Sequence, residues 1–322
     1  MTCRQRGAAL LTAMLTVALV ATLASTALWQ QWRSLEIETA ERSRLQSQWI
    51  LNGALDWARL ILREDARAGG ADHLAEPWAI PLEEARLSTF LASRNEPQDA
   101  LDTSTTLSQI FLSGDITDLQ SRMNVRNLID NGKVSDPALA SFVRLFNKLQ
   151  IPTAELSLLA ENLRFALDTS ADNRSGALAP LMPQQVSQLG WLGLSAKSIA
   201  LLRPYITLLP MPTPVNLNTA DAIVLAAAIP GLDPAQAQRL VALRATKHFR
   251  AISDVATALG TSPEQLNDAQ HSVNSQFFEI HGQLRLDTVV VQQHSVVQRQ
   301  GLEVKALWTD RGPRWAAASP LQ

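Results

Sequence analysis

The chain has 322 residues, 28 lysines and arginines against 30 aspartates and glutamates, and a formal net charge of −2. That balance excludes the strong basic bias of a dedicated nucleic-acid binder, and the length admits two modest domains beside any anchor. The one cysteine, Cys3, precedes the first apolar run and leaves no intrachain disulfide to expect.

The N-terminal stretch carries the strongest signal. Met-Thr-Cys-Arg-Gln-Arg-Gly is followed by an uncharged apolar run from Ala8 to Leu28. As a helix rising ~1.5 Å per residue, the run matches the hydrocarbon core of a bilayer. Arg4 and Arg6 precede it, which predicts a cytoplasmic N-terminus with the remainder facing outward. Three readings fit: a cleaved secretory signal ending near Ala24–Ala27, a plain membrane anchor, or a leader cut before the apolar run. Gly7, followed by small Ala8, suits a protease that binds the backbone at the membrane surface. The helical pattern also continues. From Trp29 to Arg67 there is no proline, Gly53 is the only glycine, and Leu45, Trp49, Leu55, Ala58 and Leu62 recur at helical spacing. A cleaved signal needs no such continuation. Trp29 and Trp32 fit the outer membrane–water interface, while Trp49 and Trp57 are expected in a core or on a partner.

Ala68-Gly69-Gly70 ends the helix. A short helix-like patch is expected over Leu82–Ser93, and one or two short strands over Ile110–Leu119. From Asp136 to about Gln276 the chain becomes rich in alanine and leucine, punctuated by proline and glycine. The predicted helices are Pro137–Leu149, Thr153–Leu167, Pro183–Leu189, Ala196–Tyr205, Thr219–Ile229, Pro234–Thr246, Ser253–Leu259 and Pro263–Ala269. Asp233-Pro234-Ala235-Gln236 and Ser262-Pro263-Glu264-Gln265 read as helix starts with a cap, an N1 proline and a capping-box glutamine. Beyond Gln276 the period becomes two. Phe278–Leu286, Thr288–Val297 and Leu302–Trp308 predict three antiparallel strands, with Leu302, Val304, Ala306 and Trp308 on one face. The long helix can cover this sheet, and the helical block is then an insertion within it.

Arg6-Gly7-Ala8-Ala9-Leu10-Leu11 resembles the start of type IV pilins and type II secretion pseudopilins. The resemblance implies cleavage by a prepilin peptidase between Gly7 and Ala8, and methylation of the new terminal residue Ala8. Most members carry a glutamate five residues after the cut, where this chain has Thr12. Its absence is similar to the K-type minor pseudopilin. So is the segment carrying Ile116, Asp118, Leu119, Asn124, Asn127 and Leu128, which matches I-x-D-L-x-x-x-x-N-x-x-N-L. In a filament that glutamate is thought to neutralise a neighbour's N-terminal amine. A subunit lacking it suits the filament's end.

Asn216-Leu217-Asn218-Thr219-Ala220 leading through Ile229-Pro230-Gly231-Leu232-Asp233 resembles the helix-hairpin-helix family. Such hairpins bind phosphate at exposed helix N-terminal amides. Here Asp233 stands where a second glycine is usual. Its carboxylate would repel phosphate and cap the helix itself, which favours a packing module over DNA binding. Arg244, Lys247 and Arg250 are expected on a solvated face. Gly193-Leu194-Ser195-Ala196 faintly echoes Gly231-Leu232-Asp233-Pro234, which would suit the two SAM-like subdomains of K-type pseudopilins.

No catalytic constellation stands out. His73, His248, His271, His281 and His294 lack H-E-x-x-H spacing and are expected as surface or strand residues, and there is no Walker loop or nucleophile elbow. Asp168–Asn173 is acidic but lacks EF-hand spacing. No metal or cofactor is expected from the residues; the family resemblance allows calcium, with no residue assigned.

The expectation is therefore an α+β pilin-like fold with an inserted all-α domain of two SAM-like, helix-hairpin-helix-like subdomains. Its parts are a leader 1–7, a transmembrane segment 8–28, pilin helix and first strands 29–122, helical insertions 123–213 and 214–275, and C-terminal strands 276–322. The resemblance implies a non-enzymatic minor pseudopilin at the tip of the periplasmic pseudopilus, anchored in the inner membrane. The implied partners are I- and J-type minor pseudopilins, the major pseudopilin and the prepilin peptidase, with no nucleic acid. The alternative is an exported or anchored DNA-binding protein using the hairpin.

Overall fold

The computed structural model describes residues 5–87, 110–168, 179–260, 266–286 and 289–312. The chain divides into two compact units, Met1–Gly53 and Ala54–Gln322.

The first unit is helical, formed by most of helix α1, which runs Gln5–Ala68. None of its apolar window is buried; Leu10, Leu11, Met14, Leu15 and Val17 all lie outward. Its hydroxyls are satisfied within the helix: Thr12, Thr16 and Thr22 each donate to the carbonyl three residues back, at 2.9 Å. That is how a polar side chain is tolerated in a span that meets lipid. Trp49, expected in a core or on a partner, is 76% exposed, and Trp57 in the second unit is half-buried.

In the second unit α1 stops at Ala68. Gly69 takes a left-handed φ of +69° and donates its N–H to the Asp65 carbonyl at 3.0 Å, closing the last turn. Five antiparallel strands follow: β1 (Leu82–Arg86), β2 (Ile110–Asp118), β3 (Phe277–Leu286), β4 (Val289–Gln300) and β5 (Glu303–Arg311), side by side in that order. β2 and β3 are neighbours although residues 119–276 separate them, so the helical block enters and leaves at one edge-to-edge step of the sheet. On one face Phe278, Ile280, Val297 and Val304 pack on Ala58 and Leu62 of α1 and on Trp78. Each such burial is worth about 1.5–3 kcal/mol per large side chain. Arg59 adds two hydrogen bonds to the Val304 carbonyl, at 2.9 and 2.6 Å, tying the helix to the outermost strand. On the other face Phe277, Val296 and the half-buried Trp308 meet Leu119 and Leu209.

Two expectations about the sheet need correction. The segment Leu82–Arg86 is a strand, not a helix. Leu-Glu-Glu-Ala-Arg favours a helix locally, but pairing of Ala85 with Leu112 and Arg86 with Phe111 along the open edge of β2 overrides that preference. The rest of the expected patch, Ser88–Ser93, lies outside the described residues. In β5, Leu302 is 50% exposed and belongs to the turn before the strand. The pairing then slips: Val296 faces Trp308 but Val297 faces Ala306. This bulge breaks the strict alternation, leaving Val304 buried, Trp308 half-buried and Ala306 exposed.

The inserted block holds α2 (Asp136–Lys148), α3 (Thr153–Leu167), a 3-10 turn Val186–Leu192, α4 (Ala196–Leu202), α5 (Ala222–Ala228), α6 (Pro234–Thr246) and α7 (Ile252–Leu259). The helix expected over Pro183–Leu189 is thus a tighter turn shifted along the chain. Of the helix expected over Pro263–Ala269, residues 266–269 form bend and turn, and 263–265 lie outside the described residues. One continuous core runs through the block, from Phe142, Phe146 and Leu163 to Leu225, Leu240 and Val255. Arg144 of α2 joins its halves by donating to the last carbonyls of α5, Ala227 at 2.7 Å and Ala228 at 3.1 Å.

Candidate functional site: the junction under the helical insertion

No catalytic group is assembled among the described residues; the most elaborate site is the polar junction where α1, the sheet and the inserted block meet. Asp118, the last residue of β2, is fully buried. One of its oxygens, Oδ2, accepts from Ser275 Oγ at 2.6 Å, Asn216 Nδ2 at 3.1 Å and Thr219 Oγ1, while Oδ1 accepts from Gln120 N at 2.7 Å. Burial pushes its pKa up to about 6, and the bonds from Ser275, Thr219 and Gln120 hold it from rising further.

Asn216 spans the whole junction, donating also to the Asp72 carbonyl at 3.2 Å and to Ser275 Oγ at 2.9 Å. Asp72 follows α1 and accepts from Ser275 N at 2.6 Å. Arg299, near the end of β4, closes the site. Its guanidinium pairs with Asp65 at 2.6 Å and with Asp72, and donates to the Ser275 carbonyl at 2.9 Å. Burial raises both aspartates' pKa values and Arg299 opposes the rise; Asp65 is raised further by Glu76. Burial alone would lower Arg299, but Asp72 and Asp65 outweigh it and raise its pKa. Asp65, Asp72 and Glu76 bring carboxylate oxygens within 4.8 Å of one another, a spacing that could hold a cation. In this fold two of the three are engaged by Arg299, and Glu76 accepts from His73 N and Trp78 Nε1.

The same residue types fix the strap between the two halves of the insertion. Asn124 accepts from Leu209 N and donates to the Met211 carbonyl and to Thr213 Oγ1; Asn127 accepts from Thr213 N and donates to its carbonyl. Asn218 makes the equivalent two-way clamp on Phe249, at 2.8 and 2.9 Å. So the N-x-x-N and N-L-N-T-A segments act as side-chain substitutes for missing strand partners.

The two hairpins share one device. Gly193 (φ +100°) and Gly231 (φ +74°) are left-handed, Leu194 and Leu232 are buried, and Ser195 and Asp233 cap the next helix through Ser198 N and Gln236 N. Each anion-binding position is already filled from within. Asp233 forms a capping box with Gln236, and Glu155 Oε2 accepts from Ser195 N at 3.0 Å. Asp233 therefore does what its sequence context predicts. Arg244 does not: it is half-buried, donates to the Leu217 carbonyl at 2.7 Å, and burial lowers its pKa to about 10. Lys247 and Arg250 are exposed.

Gly7 and Ala8 lie in the first turns of α1, and the Thr12 hydroxyl is spent on the Ala9 carbonyl. His281 lies on β3 and His294 on β4, His271 lies in a two-residue strand paired with Val215, and His271 and His281 are buried; His73 stacks on His248 with ring centres 3.8 Å apart. Arg299, Asp72 and Ser275 were not legible as a site, because nothing in one sequence brings a post-helix loop, a strand end and a strand start together.

A helix with an apolar N-terminal part, whose last turns pack a small antiparallel sheet, defines a pilin-like subunit; the block inserted between the second and third strands is mainly helical rather than all-α, since three short two-stranded ladders, such as Met123–Asn124 with Ile206–Thr207, tie its segments together. Family models described as Type II secretion system (T2SS), protein K, match residues 121–211 and 215–274. The chain is 26% identical over 304 residues to the type II secretion system protein K of Pseudomonas aeruginosa, covering 88% of this chain and 85% of that one. It is 28% identical over 344 residues to the protein K of Klebsiella pneumoniae, covering 98% of each. Its fold is similar to a chain of the GspK-GspI-GspJ complex of enterotoxigenic Escherichia coli, with a TM-score of 0.62 at 18% identity over 85% of this chain and 98% of that chain. These matches support a minor pseudopilin of the type II secretion system, similar to the protein K family. The family is one of structural pseudopilins with no known enzyme activity. One helix, within Ala9–Ala68, is long and apolar enough to anchor it in a membrane.

Proposed function

We propose that the chain sits at the tip of the periplasmic pseudopilus, where it supports pseudopilus assembly and export of folded proteins across the outer membrane. The observation that carries this is the insertion: residues 119–276 are joined to the sheet at the C-terminal end of α1, through Asp72, Asp118 and Ser275. A large block fixed at that end would obstruct a further subunit. Thr12 supports the same reading, since it offers no carboxylate to a neighbour's terminal amine. On this reading a prepilin peptidase cuts between Gly7 and Ala8, Ala8 is methylated, and the N-terminus starts on the cytoplasmic side of the inner membrane. Partners are then I- and J-type minor pseudopilins and the major pseudopilin. The matched complex is one of GspK with GspI and GspJ.

Mass spectrometry of the full chain from membranes tests the processing: an N-methylated Ala8 is expected, and a mature terminus near Ser25–Leu28 would overturn it. Co-purification from detergent with I- and J-type subunits tests the tip position; failure to recover either would count against it. The filled hairpins predict no salt-dependent binding to duplex DNA.

A further inference from the structure

On the sheet face away from α1, four ionisable side chains stand in one cross-strand row. Asp115 of β2 pairs in register with His281 of β3, His281 with His294 of β4, and His294 with Asp310 of β5. Register partners in an antiparallel sheet point to the same side. That side is the one of Phe277 and Val296, opposite the face that packs α1. The two imidazoles lie with ring centres 4.5 Å apart. His281 Nδ1 is 3.3 Å from Asp115 Oδ1, which sets Nε2 on the far side of the ring from that carboxylate. That Nε2 is buried with no hydrogen-bond partner, and His281 as a whole is 9% exposed. A buried polar atom without a partner is costly, and a carboxylate behind Nδ1 is the arrangement that orients histidines toward metals.

We propose that His281 and His294 form a site for a divalent transition-metal ion of the zinc class, with Asp310 as the third ligand and Asp115 as the positioning residue behind His281. Two imidazoles and a carboxylate suit Zn²⁺, with water completing the shell. The junction carboxylates, by contrast, face a guanidinium. Asp310 is exposed on the outermost strand and accepts from Arg311 N through Oδ1, so reaching the ion takes a rotation of its side chain. The bound ion pins β5 and β4 to β3.

The test is titration of the metal-stripped full chain in detergent with Zn²⁺, read by chelator-dye competition, with Co²⁺ absorption reporting the ligand set. One ion per chain is expected. His281→Gln and His294→Gln each weaken it at least about tenfold, Asp115→Asn by about 10- to 100-fold, and His73→Gln with His248→Gln leaves it unchanged. A wild-type chain that takes up no Zn²⁺, or single His281 and His294 variants that bind as well as wild type, overturn the proposal. Thermal melts without metal confirm that each variant is folded; Asp310→Asn, on an exposed edge, gives a reading should His281→Gln fail to fold.

Discussion

The sheet module and the helical insertion are held together internally by apolar packing, yet joined to each other by polar groups. Within the sheet module Leu62, Phe278, Val297 and Val304 exclude water; within the insertion Phe142, Leu145, Leu163 and Leu225 do. At the junction the buried groups are Asp72, Asp118, Asn216, Ser275 and Arg299. Apolar contact is tolerant of small rotations, whereas a carboxylate accepting four bonds from three segments is not. The difference suggests that the cores supply stability and the junction fixes the angle at which the insertion stands on the sheet.

The hardest way to break that distinction is at Arg299. Arg299→Met leaves Asp65 and Asp72 without their counter-charge, both with side chains nearly inaccessible to water. A loss of about 3–5 kcal/mol is expected, as for other broken buried pairs. Adding Asp65→Asn and Asp72→Asn to the same chain should recover most of it, because the cost lies in the stranded charges. Chemical denaturation of the three chains measures both; a loss that persists in the triple variant would mean that the guanidinium's packing over Phe278 (4.8 Å) matters more than its charge.

Acidity sharpens the same point. Asp118 has a folded pKa of about 6 against 3.8 for the free side chain. A raised carboxyl pKa means that stability is greatest below the unfolded value and falls as pH climbs through the folded one. Asp118 therefore withdraws up to about 3 kcal/mol between pH 4 and pH 7. His73, His248 and His271 act oppositely: burial lowers their pKa values, so their contribution is lost as pH falls through 6.5. Subtracting the pH–stability curve of Asp118→Asn from that of wild type isolates the junction term. The difference should fall as pH rises from 4 to 7, and a flat difference would deny Asp118 this role.

Asn218 offers a smaller break, inside the insertion. Its amide replaces two missing backbone partners of Phe249. Asn218→Ala strands a buried N–H and C=O, at a cost of about 1–3 kcal/mol. The loss should appear in hydrogen exchange around Phe249, next to the stack of His248 on His73, and not in the β3–β4 amides. Exchange that quickens equally in the sheet would mean the two modules open as one.

Much of this frame was legible in the chain. The change of period after Gln276 announced β3 and β4, and the Asp-Pro-x-Gln start of α6 was readable because caps depend on neighbours three residues apart. Asp118, Asn124 and Asn127 were visible as a motif, but their partners were not. β1 was misread because its residues favour helix and only the open edge of β2 makes them a strand. Arg244 was misread because a charge on a helix surface says nothing about a carbonyl, Leu217, that the fold brings over it. What one sequence hides is contact at long range between polar groups, and the junction consists of little else.

The smallest effect separates the two hairpins. Ser195 and Asp233 cap equivalent helices after equivalent left-handed glycines. Replacing either with alanine should cost about 0.5–2 kcal/mol. Asp233→Ala should cost more, by a few tenths of a kcal/mol, because it removes a reciprocal capping box and a negative charge at a helix N-terminus. Ser195 is neutral, and its own N–H is held by Glu155, which stays in place when the hydroxyl is lost. Added salt should erode the Asp233→Ala cost and leave that of Ser195→Ala unchanged, since only a charge–dipole term is screened. Equal costs at both positions, unmoved by salt, would make the carboxylate at Asp233 no more than a neutral acceptor. The substitution of aspartate for the usual second glycine would then have no electrostatic meaning.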